Sequence, residues 1–140
     1  MKQFILANFL PYQLSILASG ISRDFSKEYI LRFGLNNAEW RIIAHLSQET
    51  ETISIREIYQ KVDLEKSKVS RAVSKLAKRK LLSKKVNLSD KRLVDLKLTK
   101  VGREIIDEMT EIAKDFEARF LQKIENPGSF KHTINALLKD

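Results

Sequence analysis

The sequence predicts a mainly α-helical (α+β) protein: a winged helix-turn-helix with dimerisation helices at its N and C termini. One observation is a stretch over residues 64–80 whose helical projection separates apolar from cationic side chains. A second is the short capped helix before this stretch, and a third is the two-residue periodicity after it. The predicted organisation is an N-terminal arm and helix over residues 1–34, a winged lobe over residues 35–99 and C-terminal helices over residues 100–140.

The stretch over residues 64–80 has one face that must be buried and one that suits a nucleic acid. The apolar face consists of Val69, Ala72, Val73, Leu76 and Ala77. The outer face consists of Ser67, Ser70, Arg71, Ser74, Lys75 and Lys78. An ordinary solvated face mixes both charge signs, whereas this one carries hydroxyls and cations but no acid. Because small polar residues allow close approach, Arg and Lys on this face could reach phosphates or guanine edges.

The composition of the 140-residue chain favours one globular domain with an anionic partner. Hydrophobic residues make up 43% of the chain, and 26 Lys and Arg against 18 Asp and Glu give a formal net charge of +8. The absence of Cys excludes disulfides, thiolate redox sensing and Cys-ligated metals, and it suits the reducing cytoplasm. We therefore expect a cytoplasmic protein without a cofactor or a metal.

The N-terminal residues predict a long amphipathic helix rather than a signal peptide or a membrane span. Residues 1–20 have a faint signal-peptide outline, but Pro11 and polar residues interrupt the apolar run. After Pro11, which suits a first helical turn, apolar residues recur every three or four positions up to Tyr29. The helix is expected to stop near Phe33 and Gly34. No segment approaches the ~18 uninterrupted apolar residues of a membrane span.

A capping box predicts the start of the second helix. Asn36 is a good N-cap, and Glu39 stands three residues later. This helix is expected to run to about Ser47, and the polar segment over residues 48–52 is interpreted as a loop.

The next helices predict a helix-turn-helix. Ser54 and Glu57 form a second capping box, which opens a short helix ending near Val62 and Asp63. The amphipathic stretch over residues 64–80 follows almost at once. Two short helices joined by a tight turn, the second with a cationic face, are typical of this motif.

A β-hairpin is predicted beyond Leu82, where the periodicity changes from 3.6 to 2. Its strands contain Val86 on one side and Val94, Leu96 and Leu98 on the other, around a polar, charged tip. A hairpin that follows a helix-turn-helix forms the wing of a winged-helix domain.

The C-terminal segment predicts two amphipathic helices. Thr99 can cap the first, whose apolar stripe reaches Ile124 before a break over residues 126–128. The last helix carries Phe130 and Leu137 on one face. Because the terminal helices show more apolar surface than the winged lobe can cover, a dimer interface is the favoured interpretation.

From Leu35 to about Met109 the chain resembles the MarR transcriptional regulators. The similar segments are LNNAEWRIIAHL, ISIREIYQKV, KSKVSRAVSKL and SDKRLVDLKLT. In the last of these, Asp90-Lys91-Arg92 stands as the family's D-x-R, followed at family spacing by Leu98-Thr99 and Gly102. Two positions depart from the pattern: Lys80 replaces a glycine that usually ends the recognition helix, and Glu65 replaces a short capping residue.

The resemblance implies a homodimeric, sequence-specific DNA-binding regulator, most simply a repressor on a pseudo-palindromic double-stranded operator. Its recognition helices would enter major grooves and its wings minor grooves. It also implies release by a small aromatic effector near the junction of the dimer helices and the DNA-binding lobe. No residue demonstrates such a site; Tyr12, Arg23 and Trp40 are candidates, although core packing explains Trp40 equally well. The expected DNA-binding residues are Ser67, Lys68, Ser70, Arg71, Ser74, Lys75, Lys91 and Arg92.

Two other classes of function are weighed against this one. An enzyme is not expected, because neither His45 nor His132 stands in a catalytic pattern and no phosphate-binding loop occurs. A winged-helix protein-interaction or RNA-binding module without operator specificity is the alternative. The acid-free helix face favours duplex DNA, because the major groove of A-form RNA is too narrow for a helix.

Overall fold

The computed structural model describes residues 2–49 and 52–139, so part of the predicted loop over residues 48–52 lies outside the described residues. The chain divides into two compact units, residues 2–107 and 108–139. The helices are α1 (Leu10–Phe33), α2 (Asn37–Ser47), α3 (Ile55–Lys61), α4 (Lys66–Lys78), α5 (Lys100–Leu121) and α6 (Pro127–Leu138). The strands are β1 (Ile53–Ser54), β2 (Leu82–Val86) and β3 (Val94–Leu98). The predicted mainly α-helical winged helix-turn-helix is confirmed.

Helix α1 begins and ends where its residues predict. Pro11 lies in the first turn, and Gly34 ends the helix in the left-handed conformation with φ at 63°. The Gly34 N–H donates to the Ile30 carbonyl at 2.9 Å, which satisfies one of the free acceptors at the helix end. A short 3₁₀ helix over Leu6–Asn8, which the sequence analysis did not predict, precedes α1.

The capping box of α2 is confirmed in full. The Glu39 N–H donates to Asn36 Oδ1 at 2.8 Å, and the Asn36 N–H donates to Glu39 Oε1 at 2.8 Å. The Glu39 side chain is buried, so this reciprocal pair also satisfies a carboxylate that would be costly to bury alone.

The start of α3 differs from the prediction. Ser54 Oγ accepts a hydrogen bond from the Glu57 N–H at 3.2 Å, as a cap should, but the Glu57 carboxylate accepts from the Ser54 hydroxyl at 3.4 Å instead of closing a box. Ile53 and Ser54 also form β1, a strand that the sequence analysis missed. Two residues are too few for a periodic pattern, and pairing with β3 is what defines this strand.

The sheet has the strand order β1-β3-β2, and both pairings are antiparallel. Leu96 of the central strand lies opposite Ile53 on one side and Lys84 on the other. The β2 edge exposes Lys84 and Lys85, charges that discourage pairing with another chain.

The core of the first unit lies between α2, α3, α4 and the inner side of the sheet. Its members are nearly inaccessible to solvent, and α4 contributes four of them. These buried residues are Leu35, Ile42, Ile43, Leu46, Ile58, Val62, Val69, Ala72, Val73, Leu76, Leu81, Leu82, Leu96 and Leu98.

The end of α4 keeps a left-handed turn even though it lacks the expected glycine. Lys80 has φ at 61°. The Leu81 N–H donates to the Leu76 carbonyl at 2.9 Å, and the Lys80 N–H donates to the Ala77 carbonyl at 3.0 Å. These two bonds form a Schellman motif, with both leucines buried beside it. The Lys80 substitution therefore leaves the turn intact and places a side chain in a conformation that glycine adopts more easily.

Thr99 caps α5, as predicted. Its Oγ1 accepts from the Gly102 N–H at 3.1 Å and donates to the Lys80 carbonyl at 2.7 Å. Gly102 is required here, because a Cβ at this position would lie 2.2 Å from the Leu81 carbonyl oxygen.

The predicted break between the last two helices is displaced. Helix α5 ends at Leu121, three residues before Ile124, and Pro127 opens α6 instead of interrupting the chain. Asn126 supplies the cap, since its Oδ1 accepts from the Ser129 N–H at 3.1 Å. A proline that follows an Asn cap fits the first turn of a helix. The prediction of a break at Pro127 was wrong because the same residues can also start a helix. Over the part of the chain that the structure describes, no helix is both long and apolar enough to cross a membrane.

Candidate nucleic-acid interface

The two faces of α4 are divided between core and solvent as the sequence predicts. Val69, Ala72, Val73 and Leu76 are buried. Ala77 at the edge of this face is half-buried. The predicted contact residues on the outer face are all exposed: Ser67, Lys68, Ser70, Arg71, Ser74 and Lys75. The whole cationic face is therefore free to meet a polyanion.

The first turn of α4 also favours an anion. Glu65 holds the N-cap position with an extended backbone, but its side chain makes no capping hydrogen bond. The first turn contains no acidic residue. Backbone N–H groups at a helix start carry partial positive charge, so this turn is suited to bind a phosphate oxygen.

A groove of about 340 Å³ lies between the start of α2 and one flank of α4. Asn36 and Asn37 line one side, and three cations line the other. These cations are Lys68, Arg71 and Lys75. The groove continues the basic surface of α4 toward α2 and widens the area in which a phosphate backbone could be held.

The turn between α3 and α4 is compact. Asp63 adopts the left-handed conformation with φ at 52°, which short polar side chains tolerate. Lys66 Nζ lies 5.8 Å from the centre of the Tyr59 ring, a cation–π contact across the turn. Arg41 Nη1 donates to the Val62 carbonyl at 3.3 Å and satisfies the end of α3. The Lys66–Tyr59 contact joins α4 to α3, and the Arg41 bond joins α2 to the end of α3.

The predicted wing residues, Lys91 and Arg92, lie at the exposed tip of the hairpin. The Arg92 guanidinium forms a fork with Asp90, with Nε to Oδ1 and Nη2 to Oδ2 both at 3.0 Å. These bonds and the Arg92 backbone N–H lower the pKa of the Asp90 carboxyl, so the pair remains ionised at neutral pH. The Arg92 side chain is still 83% exposed. Both residues were predicted from the sequence, but the pairing of Arg92 with Asp90 was not.

Arg79 was not singled out from the sequence. It follows the last residue of α4, and its guanidinium donates to the Phe33 and Gly34 carbonyls at 2.7 and 3.3 Å. The contact fixes the end of α4 to the end of α1. Only its position beside a helix end could have drawn attention to it, because its partners are more than forty residues away in sequence.

A second groove, of about 490 Å³, lies between α1 and α2. Of the three residues suggested for an effector site, Arg23 lines it. Trp40 instead stacks on Tyr29, with the two ring centroids 5.7 Å apart and the ring planes inclined by 17°. Trp40 also lines a smaller groove together with His45. Burial raises the pKa of the Tyr29 phenol, and Arg41 partly offsets this effect. The groove residues are Ala18, Ser19, Ser22, Arg23, Ser26, Tyr29, Asn37 and Arg41.

Comparison with known proteins shows similarity to one family. A family model described as MarR family matches residues 33–93, a range that includes all eight predicted contact residues. A solved MarR/EmrR family transcriptional regulator from Acinetobacter sp. ADP1 is 29% identical, with a TM-score of 0.82 over 97% of this chain and 94% of that chain. The family model covers 61 of the 140 residues, and over this range the chain is similar to the MarR family. The solved Acinetobacter protein is described as a transcriptional regulator.

Other solved structures agree in fold. The regulator SPO1453 from Silicibacter pomeroyi DSS-3 is 23% identical, with a TM-score of 0.81 over 98% of each chain. BpsR from Bordetella bronchiseptica is 20% identical, with a TM-score of 0.84 over 99% of this chain and 96% of that chain. DNA binding by BpsR is regulated by 6-hydroxynicotinic acid. No match was found among curated proteins.

Proposed function

We propose that the chain is a cytoplasmic, homodimeric repressor that binds a pseudo-palindromic operator and is released by a small aromatic effector. One observation carries the DNA part of this proposal: the exposed face of α4 bears hydroxyls and cations without an acid, beside a wing that ends in Arg92. Short hydroxyl side chains let the helix approach the base edges, and long cations reach phosphates around them.

Arg71 and Arg92 have different roles in this proposal. Arg71 lies in the middle of α4, where a helix in the major groove brings a side chain to base edges. A fork from Arg71 to guanine would contribute about 1–3 kcal/mol of discrimination. Arg92 would meet the minor groove, whose pattern distinguishes little beyond A·T from G·C.

The decisive experiment compares Arg71→Ala and Arg92→Ala on an operator obtained by selecting bound duplexes from a random pool. Arg71→Ala should weaken operator binding far more than binding to scrambled DNA. Arg92→Ala should weaken both by similar factors and reduce any preference for A·T base pairs beside the half-sites. Arg32→Ala, which removes an exposed arginine from α1, is the control for net charge. Binding is measured by fluorescence anisotropy at one fixed salt concentration.

Three results would contradict the proposal. If Arg71→Ala leaves the specificity ratio unchanged, α4 does not read sequence through Arg71. If the random pool yields no preferred duplex, the protein lacks operator specificity. If single-stranded or A-form RNA competes as well as DNA, the RNA-binding alternative replaces it.

Exposed apolar side chains support the homodimer. In the N-terminal part of the first unit they run through the 3₁₀ helix into α1, and in the second unit they lie on α6. They are Phe4, Ile5, Leu6, Phe9, Leu10, Tyr12, Leu14, Ile16 and Leu17, together with Ile134, Leu137 and Leu138. Apolar surface of this extent is typical of a protein interface. A second copy is the occupant that a two-fold operator requires.

The dimer is tested by sedimentation velocity. A Leu137→Asp/Leu138→Asp variant and a chain that lacks residues 128–140 should both give monomer or aggregate. Leu88→Asp, which changes an even more exposed leucine in the wing, should remain dimeric. A stable dimer in both altered proteins would exclude the C-terminal helix from the interface.

The α1–α2 groove supports an anionic aromatic effector. Two guanidinium groups, from Arg23 and Arg41, line it together with three serines, a lining suited to a carboxylate and a ring hydroxyl. The probe is 6-hydroxynicotinic acid, with uncharged nicotinamide as the control. It should release the operator from the native protein but not from Arg23→Gln, which should still bind the operator. Equal release from both proteins would place the effector elsewhere.

A further inference from the structure

The wing loop over residues 87–93 is built from two successive Asx turns. Asn87 Oδ1 accepts from the backbone N–H groups of Ser89 and Asp90, both at 2.9 Å. Asp90 Oδ1 in turn accepts from the Arg92 N–H at 3.1 Å. Backbone bonds from Asn87 N to Leu93 O and from Leu93 N to Asp90 O, each 3.0 Å, close the loop. The side chain of Asn87 therefore determines where the backbone of Asp90 lies.

Asn87 is itself held from the sheet. Its Nδ2 donates to both carboxylate oxygens of Asp95, at 3.1 and 3.0 Å. Asp95 lies on the central strand β3, opposite Ser54 of β1 and Lys85 of β2. A residue paired on both sides has little freedom, so Asp95 provides a rigid base for the loop.

The chain of bonds ends at the exposed arginine. Asp90 holds the Arg92 guanidinium through Nε and Nη2, which leaves the remaining guanidinium N–H groups available. A free arginine loses considerable rotamer freedom when it is bound, whereas one already held in a fork loses less. Hydrogen bonds to a charged carboxylate are also among the stronger ones in proteins.

We propose that Asn87 is a positioning residue for DNA binding: the relay Asp95–Asn87–Asp90 fixes Arg92 in advance in the direction that the minor groove requires. This inference rests on the proposed contact between Arg92 and DNA. Asn87 touches no DNA in this scheme and acts through Arg92 alone. It lowers the ordering cost of binding rather than adding a contact.

The relay needs an amide at position 87. Asn87 accepts two N–H groups with its oxygen and donates to a carboxylate with its nitrogen, and neither an acid nor an alanine can do both. In Asn87→Asp a carboxylate would face the Asp95 carboxylate. In the swapped variant Asn87→Asp/Asp95→Asn, the amide at position 95 can donate to the new carboxylate, and the net charge of the pair is unchanged.

The experiment measures binding to operators flanked by A·T or by G·C base pairs, for the full-length native protein and its variants. Asn87→Ala should lower affinity for the A·T-flanked operator by about threefold to tenfold, the cost of ordering one long side chain. In the Arg92→Ala background the same change should have an effect of less than about twofold, because the two residues act as a unit. Asn87→Asp should bind poorly, and the swap should restore binding to within about threefold of the native protein.

Ser89→Ala is the matched control, since Ser89 contributes its backbone N–H to the relay and the loop keeps that group. Thermal unfolding of each variant separates a local change in the loop from general destabilisation of the protein. A loss of binding caused by general destabilisation would also occur in the Arg92→Ala background. If Asn87→Ala weakens binding equally in both backgrounds, or if the swap fails to restore what Asn87→Asp loses, the relay is wrong. If Arg92→Ala itself has no effect on either operator, the proposed wing contact fails and the relay fails with it.

Discussion

Arg79 Nη2 donates a 2.7 Å hydrogen bond to the carbonyl oxygen of Phe33, the last residue of α1. A second bond joins Nη1 to the Gly34 carbonyl at 3.3 Å. Carbonyls at a helix C terminus lack partners within the helix and carry partial negative charge, so a guanidinium is well placed here. Arg79 thereby connects the end of α4, the proposed recognition helix, to a helix proposed to form the dimer.

Replacing Arg79 should lower the free energy of unfolding. Arg79→Gln keeps a good helix-forming residue but loses the charged fork, and we expect a loss of about 1 kcal/mol because the site is solvent-exposed. Lys78→Gln removes a neighbouring exposed cation and is the matched control. Urea unfolding at one protein concentration measures both. Equal midpoints for the two variants would show that the bonds to α1 add no stability.

Substitution by glycine should change the free energy of unfolding in opposite directions at Lys80 and at Lys78, near the end of α4. Lys80→Gly removes a side chain from the left-handed conformation and should stabilise the protein by about 0.5–1 kcal/mol. Lys78→Gly places the same residue in the last helical turn and should destabilise it by a similar amount. Thermal unfolding compares the two variants. Destabilisation by both would mean that the Lys80 side chain makes a favourable contact that outweighs its backbone strain.

Adding a methyl group should be harmful at Gly102 and tolerated at Gly20. The new Cβ in Gly102→Ala would lie 2.2 Å from the Leu81 carbonyl oxygen, and relieving this overlap should cost about 2–3 kcal/mol. In Gly20→Ala the nearest atom is Arg23 Nη2 at 3.9 Å, so the gain in helix propensity should stabilise by up to about 1 kcal/mol. The midpoints of urea unfolding should therefore move in opposite directions. A small effect at Gly102 would indicate that α5 can shift away from Leu81.

His45 should make the protein less stable in mild acid. Burial, with the nearby charges of Lys61 and Arg41, lowers the pKa of His45 below its ordinary value of 6.5. As the pH falls below 6.5 the unfolded chain takes up this proton first, so the unfolding free energy decreases until the folded-state pKa is passed. His45→Gln should flatten the dependence between about pH 7 and the folded-state pKa, measured by urea unfolding at several pH values. His132→Gln, which changes an exposed histidine, is the matched control, and the idea fails if the two variants behave alike.

Local signals in the sequence determined most of the secondary structure and the location of the exposed cationic face of α4. The faces of α4, the Asn36 and Thr99 caps and the Gly34 stop depend on residues within about four positions of one another, so they can be read without the fold. The tip residues Lys91 and Arg92 were likewise predicted from the hairpin pattern and the family resemblance. The same local reasoning failed at Pro127, where one short sequence fits either a helix break or a helix start.

Only the tertiary structure decided the contacts between residues that are distant in sequence. Strand β1 exists because Ile53 meets Leu96, and Gly102 is needed because α5 passes close to Leu81. The bonds from Arg79 to α1 and the relay from Asp95 through Asn87 to Asp90 likewise depend on how the chain returns to itself. The periodicity of a single sequence records which residues share a face of one element, but not which partner that face meets, because the pairing is set by packing of the whole core.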